Sequence, residues 1–420
     1  MPTLTEQILR RHAVGEACPG SAYLAVEPDL VLGHEATIAL LIGRLRKAGR
    51  RVFRPERCFF AADHFVPPAS EERAAILRDY VAFVEAEGIS MDHLYRGISH
   101  QLLVEDRRCR PGALVAGADS HTTMGGALGA FAAGFGSTDV LMLLATGQVY
   151  VRVPEAVEIR LTGRLGPGVV GKDVALEMMR VLGEGGGRYR ALELRDETRG
   201  GFSMSGRMTM TNMAVDCGAK NGVFVPDDLT RRYVYERDGT PIDPAEEVHP
   251  TADAEYAERI VLEVGRLAPL VARPGSPADV VPAYEAEPER VDQVFIGSCC
   301  GGRLEDLKDA AAVLRGHRIQ PRVRLVVTPA SRRVYQDALR DGVLAELVEA
   351  GAMVTVPSCG ACGGIDKGLL AAGEVCVSTS NRNFRGRMGS NDARIYLASA
   401  RTAAAAAVAG HVIDPRELCR

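Results

Sequence analysis

The chain has 420 residues, 46% of them hydrophobic, 25% charged and 5% aromatic, with a formal net charge of -4. That length allows two or three domains with hydrophobic cores of their own. The mildly acidic balance excludes the strongly basic face of a nucleic-acid binder, and no run of about 18 apolar residues reads as a membrane span.

The opening stretch, MPTLTEQILRRHAVGEA, has no apolar core followed by a small-residue cleavage site. No secretory signal is expected, a cytoplasmic location is, and the stretch reads as a first helix capped by Thr3 or Thr5. Ten cysteines in such a chain argue against a disulfide framework. Cys18, Cys58, Cys109, Cys217, Cys376 and Cys419 are scattered and read as small buried hydrophobes.

Further along, an apolar stretch within Arg51–Ala61 runs into Asp63-His64, and Ala113–Gly117 runs into Asp119-Ser120-His121. The glycine-rich run Gly125–Gly136 suits close packing beneath a site. His64, His100 and His121 all fall in turns rich in Gly, Pro or Asp. A carboxylate beside an imidazole favours the imidazolium, which suits a proton donor. A single Asp-His pair is most often unremarkable; two of them at strand ends carry more weight.

The middle of the chain has two turn-rich stretches, Asp238–Pro250 and Ala268–Pro288. The second holds five prolines and is expected to be a linker. After it, Gln293–Gly297, Val323–Thr328, Ala352–Val356 and Glu374–Thr379 read as strands. Leu304–His317 and Arg332–Ala350 between them read as helices. That alternation predicts a parallel α/β sheet, whose ligands bind beyond the carboxyl ends of the strands. Cys299, the Cys359-x-x-Cys362 pair and the Ser380–Arg387 segment each follow one of these strands. The arginines there suit carboxylates, although a solvated surface would carry the same residues. Ala403–Ala407 reads as a helix.

Taken alone, the cysteine pair is compatible with half a zinc site, a redox pair or cluster ligation. Three thiolates, Cys299 with the pair, fit an iron–sulfur cluster with one iron free of protein ligands; zinc and no metal remain open. Cys300 reads as a neighbour that does not ligate, since successive side chains diverge. Ligation of the remaining iron by Cys300 would block the Lewis acid.

The ordered segments DHFVPP (63–68), GISHQ (97–101), GADSHTT (117–123), TNMAVDCGAK (211–220), FIGSCCGGRLEDL (295–307), SCGACGG (358–364) and STSNRNFRGRMG (378–389) cover nearly the whole chain. Together they resemble the aconitase superfamily, closest to the stand-alone large subunits of 3-isopropylmalate dehydratase and homoaconitase. The resemblance implies an α/β, three-domain core of doubly wound, parallel-type sheets, with the site in a central cleft. The expected domains are 1–154, 155–284 and 285–420. It implies a [4Fe-4S] hydro-lyase that isomerises a small 2-hydroxy di- or tricarboxylate through an alkene. Cys299, Cys359 and Cys362 would hold the cluster, with Asn212, Asn381, Cys300 and Arg303 around it. His64, oriented by Asp63, would protonate the departing hydroxyl. His100 and His121, with Asp119, would hold water at the open iron, and Asp216 stands at the family's catalytic glutamate. His34, Ser120, Arg382 and Arg387 would meet substrate.

The family's serine base lies on a swivelling domain in a YGSGSSRE-like segment that the sequence lacks. A separate small subunit of about 150–200 residues, the size of one domain, is therefore expected to bring it. Three departures stand out. Cys-Thr-Asn-Gly-Arg appears as Cys299-Cys300-Gly301-Gly302-Arg303, the filler between the paired thiols is Gly360-Ala361, and the central glutamate is Asp216. They point to a divergent member whose alternatives are homoaconitase, another alkylmalate isomerase, a turnover-deficient binding homologue, or a zinc or cluster-free lyase.

Overall fold

The computed structural model describes residues 1–15 and 22–418; Cys18 and Cys419 lie outside the described residues. Three sheets carry the fold. The first is built from β1 (Leu30–His34), β2 (Cys58–Ala61), β3 (Leu114–Gly117) and β4 (Phe131–Gly134), in the order β2-β1-β3-β4, all parallel. All four residues of β2 and β3 and all five of β1 are buried. Such continuous burial is what a parallel sheet covered on both faces requires. A short antiparallel pair, Tyr23–Val26 with Val149–Arg152, lies apart from this sheet.

The second sheet comprises β5 (Ala156–Gly163), β6 (Ala191–Thr198), β7 (Asn221–Phe224) and β8 (Glu258–Glu263), in the order β8-β5-β6-β7, again parallel. The third has seven strands: β9 (Leu270–Ala272), β10 (Val280–Pro282), β11 (Gln293–Ile296), β12 (Arg324–Val327), β13 (Met353–Val354), β14 (Val375–Ser378) and β15 (Arg394–Ala398). Their order is β10-β9-β15-β14-β11-β12-β13, and only the pairings of β9 are antiparallel. Alternation along β11 divides the cores. Val294 and Ile296 face the helices Leu304–Leu314 and Ala400–Ala409, whereas Phe295 faces the core shared with the second sheet.

The first helix is Leu4–Arg11, and of the two proposed caps Thr3 is the one used, accepting a hydrogen bond from the Glu6 amide. Three sequence expectations change. The stretch expected to be a linker holds β9 and β10; its prolines fit because β10 is an edge strand and Pro282 ends it. The single helix expected over Arg332–Ala350 is two, Arg332–Arg340 and Val343–Ala350, separated at Gly342, whose φ of +77° ends the first. The strand expected over Ala352–Val356 narrows to Met353–Val354, because only those residues pair with β12. Among the described residues no helix is long and apolar enough to cross a membrane.

Phe295 is fully buried where the third sheet meets the second. Phe295→Ala is expected to cost about 3–5 kcal/mol, read as a lowered midpoint in urea unfolding.

Candidate active site

The carboxyl ends of β1, β2 and β3 present His34, Asp63-His64 and Asp119–His121 along one rim. His34 ends β1, and Glu35 opens the helix Glu35–Lys47. The fully buried Glu35 carboxylate accepts the backbone N–H groups of Asp63 (3.1 Å), His64 (2.7 Å) and Phe65 (2.5 Å). It folds the turn after β2 so that His64 stacks on His34, with ring centroids 4.1 Å apart. Asp63 accepts from His64 Nδ1 (2.6 Å) and from the Ser99 amide (2.6 Å). The oxygens of Glu35 and Asp63 are thereby joined with His64 in one hydrogen-bond network.

Asp119 is the centre of a second cluster. His100 Nε2 lies 3.0 Å from it, His34 Nε2 3.5 Å and His121 Nδ1 3.6 Å. His121 Nε2 continues to Asp216 at 3.4 Å, and Arg382 donates from Nε to Asp216 at 2.7 Å and from Nη2 to Ser120 Oγ at 3.3 Å. Both ring nitrogens of His34 and His100, and Nε2 of His121, are buried without an aligned hydrogen-bond partner. They are within electrostatic reach of carboxylates yet free to bond something placed between them.

Charge follows this geometry. Burial works against a charged His64, but the Asp63 carboxylate and its hydrogen bond, helped by Glu35 and Asp119, raise its pKa to about 9. Burial likewise opposes a charged His121, and Asp216 and Asp119 outweigh it, raising that pKa. Burial also opposes ionisation of Asp119 and Asp216. Neighbouring imidazoles, and for Asp216 also Arg382, still hold both below the usual carboxylate range.

The thiols approach from the third sheet. Cys299 follows β11 after Ser298, whose φ of +74° is unusual for a residue with a Cβ and turns the chain sharply. Cys359 caps the start of the 3-10 turn Gly360–Gly363 after β13, and Cys362 lies within it. The Cys359 amide bonds the Asp63 carbonyl (2.9 Å), which ties the thiols to the imidazole rim. All three thiols are buried. Cys362 Sγ lies 3.3 Å from Ser298 Oγ, which is 3.8 Å from Cys299 Sγ. Asn212 Nδ2 donates to Cys299 Sγ at 3.1 Å. Asn381 Nδ2 bonds Asn212 Oδ1 at 3.0 Å and faces the same sulfur at 3.8 Å. Burial pushes the Cys299 thiol up, while the hydrogen bond to Cys359 and the Arg387 guanidinium favour the Cys362 thiolate.

Cys300 donates to the Thr379 carbonyl at 3.1 Å, with Lys172 Nζ 3.6 Å and Ser298 Oγ 3.8 Å from its sulfur. Arg303 holds the turn from behind, through the Cys299 and Cys300 carbonyls, Thr209 Oγ1 and, at 2.6 Å, Ser205 Oγ. Arg387 faces the paired thiols, and its Nε is buried without a partner. Three convergent buried thiols with amide donors aimed at sulfur suit a thiolate-held metal group.

The structure therefore brings every sequence-identified site residue to one rim-to-rim interface. Glu35 and Lys172 went unnoticed in the sequence; the only signal for Glu35 was a carboxylate directly after His34. A groove of about 670 Å³, lined by Val66, Pro67, Pro68, Leu77, Tyr95 and Pro357 among others, borders the site through the residues beside His64 and Cys359. A more polar cleft of about 720 Å³, lined by Asp29, Arg108 and Gly112 among others, lies at the amino ends of the first sheet, away from this chemistry.

Residues 6–292 and 282–410 match the model of the aconitase family (aconitate hydratase). The chain is 46% identical over 418 residues to a 3-isopropylmalate dehydratase large subunit 1 of Methanopyrus kandleri, covering 99% of each. It is 42% identical over 417 residues to a homoaconitase large subunit of Thermus thermophilus, covering 99% of this chain and 98% of the other. The fold is similar to that of a Thermococcus kodakaraensis aconitase X, with a TM-score of 0.53 and 13% identity over 88% of both chains.

Glu35→Gln removes one of the charges that raise His64. The His64 titration midpoint, followed by NMR of the imidazole, is expected to move down. An unmoved midpoint would remove Glu35 from this network.

Proposed function

The chain belongs to the aconitase family, and on that premise we propose that it is the cluster-carrying subunit of a hydro-lyase. Its reaction is isomerisation of a 3-isopropylmalate-like 2-hydroxy di- or tricarboxylate by dehydration and rehydration through an alkene. The observation that carries the reading is the convergence of Cys299, Cys359 and Cys362, with the neighbouring Cys300 thiol hydrogen-bonded to the Thr379 carbonyl, facing a rim of imidazoles and carboxylates. These three thiols would hold a [4Fe-4S] cluster, and the amides of Asn212 and Asn381 would steady it through sulfur. When bound, the cluster supplies a Lewis acid at an iron without a protein thiolate.

The chain's own groups divide the remaining work. Hydroxide is a poor leaving group, so a proton must be delivered as it departs. His64 offers one from Nε2, because Nδ1 is engaged by Asp63. His100 and His121 share Asp119 and present nitrogens without aligned partners, which suits them to hold and orient a water. The proton removed alpha to a carboxylate is weakly acidic, so the developing negative charge needs cations nearby. Arg387, with a free buried Nε, and Arg382, fixed by Asp216, supply them; Ser120 and His34 complete the substrate's surroundings.

The base is assigned to a separate small subunit of about 150–200 residues, one domain in size. Support comes from the relatives, which are named large subunits. The names divide between isopropylmalate and homoaconitate chemistry, so the side group of the substrate is proposed as a class.

Anaerobic reconstitution followed by iron and sulfide counting tests the reading. Wild type and Cys300→Ser are expected to hold the cluster, and Cys359→Ser to lose it. Turnover of 3-isopropylmalate is expected only after the small subunit is added. A wild type that holds no iron, or one that turns over fully alone, would sink the proposal. The His64 assignment has its own check. The imidazolium of the free chain is present below a pKa of about 9 and lost above it, so kcat/KM for dehydration should fall about tenfold per pH unit above that point. A rate still level well above pH 9 would contradict the role.

A further inference from the structure

Lys172 is the second residue of the helix Gly171–Leu182 and only 4% exposed. Its ammonium contacts the carbonyls of Ser380 (2.6 Å) and Thr379 (3.3 Å), Met213 Sδ (3.4 Å) and Cys300 Sγ (3.6 Å). None of these partners is a carboxylate, and no carboxylate among the described residues lies within ion-pair distance of it. The adjacent Asp173 carboxylate is turned away and spent on the amides of Leu270 and Val170. The site is doubly unfavourable for a cation. Burial strips its water, and the first turn of a helix carries positive dipole charge. A buried ammonium in such a place needs an anion.

The nearest place for one is the thiol cluster. Cys300 Sγ, beside the ammonium, is 3.8 Å from Ser298 Oγ, and that hydroxyl also touches Cys299 and Cys362. Three thiolates on an iron–sulfur core leave the assembly with net negative charge, and nearby charge sets its potential. We propose that Lys172 is the counter-charge of the thiolate-held cluster. It is a positioning residue as well, because its two carbonyl partners are the residues directly before Asn381 and Arg382. The inference rests on the cluster reading above and adds to it the residue that balances the cluster's charge.

The test uses full-length wild type, Lys172→Met and Lys172→Arg, each reconstituted anaerobically. Iron and sulfide counts on the wild type judge the cluster reading separately; a wild type without iron overturns both. With the cluster in place, two readouts address Lys172. The reduction potential, from a spectroelectrochemical titration, is expected to be lower in Lys172→Met than in wild type, since the more negative reduced state loses a nearby cation, and to recover in Lys172→Arg. The gain in melting temperature on cluster loading is expected to be larger in wild type than in Lys172→Met, because only the wild-type apo chain buries an uncompensated charge. A Cys300→Thr background controls for the neighbouring sulfur, and the potential difference should persist there. Equal potentials in wild type and Lys172→Met, or a difference that vanishes with Cys300, would overturn the proposal. Should Lys172→Met not fold, Lys172→Gln, which keeps a polar head without the charge, replaces it: a potential below wild type supports the counter-charge, and an unchanged one overturns it.

Discussion

Five hydrogen bonds between two sheet rims, three of them main-chain to main-chain, hold the site together. The Cys359 amide bonds the Asp63 carbonyl, Ile98 bonds the Ala330 carbonyl, and Arg332 bonds the Arg96 carbonyl. Lys367 Nζ reaches the Val66 carbonyl at 2.8 Å, and Arg73 reaches that of Ile365. Each joins a segment that follows a first-sheet strand to one that follows a third-sheet strand. Imidazoles are supplied by one sheet and thiols by the other, so neither half is a site without this seam. Main-chain bonds suit the task because they fix the loops whatever the side chains beside them are doing.

Across the seam, opposite charges are placed in alternation. Asp63 and Asp119 sit among imidazoles, Asp216 lies between His121 and Arg382, and Arg387 faces the paired thiols. Buried ions are tolerated when each has a partner. The exceptions are informative: unsatisfied nitrogens on His34, His100, His121 and Arg387 all border the space between the rims. Polar capacity has been left over where a polar ligand would use it.

The departures from the family pattern have local explanations. Cys300 is compatible with three-thiol ligation because its sulfur is drawn to the Thr379 carbonyl. At Gly301 even a Cβ would lie 2.4 Å from the Thr379 side chain, so the turn takes glycine there. Thr379 Oγ1 meanwhile braces the turn through the Gly297 amide and carbonyl. The shorter Asp216 still spans His121 and Arg382, with Arg382 closing on it at 2.7 Å.

The sequence by itself determined the α/β class, the strand after which each motif falls, and the identity of the thiols, imidazoles and arginines. Local pattern carries that information: apolar runs mark strands, and polar motifs at their ends mark the rim of a parallel sheet. It misjudged the proline-bearing stretch over β9 and β10, since Pro is tolerated at a sheet edge and nothing local says where the edge lies. It joined the helices that Gly342 separates. Only the tertiary structure decided that the Cys300 thiol bonds the Thr379 carbonyl, that Glu35 gathers three amides, and that Lys172 is buried without a carboxylate. Those three facts depend on atoms far apart in sequence, and burial and electrostatic balance become defined only once the sheets have closed on one another.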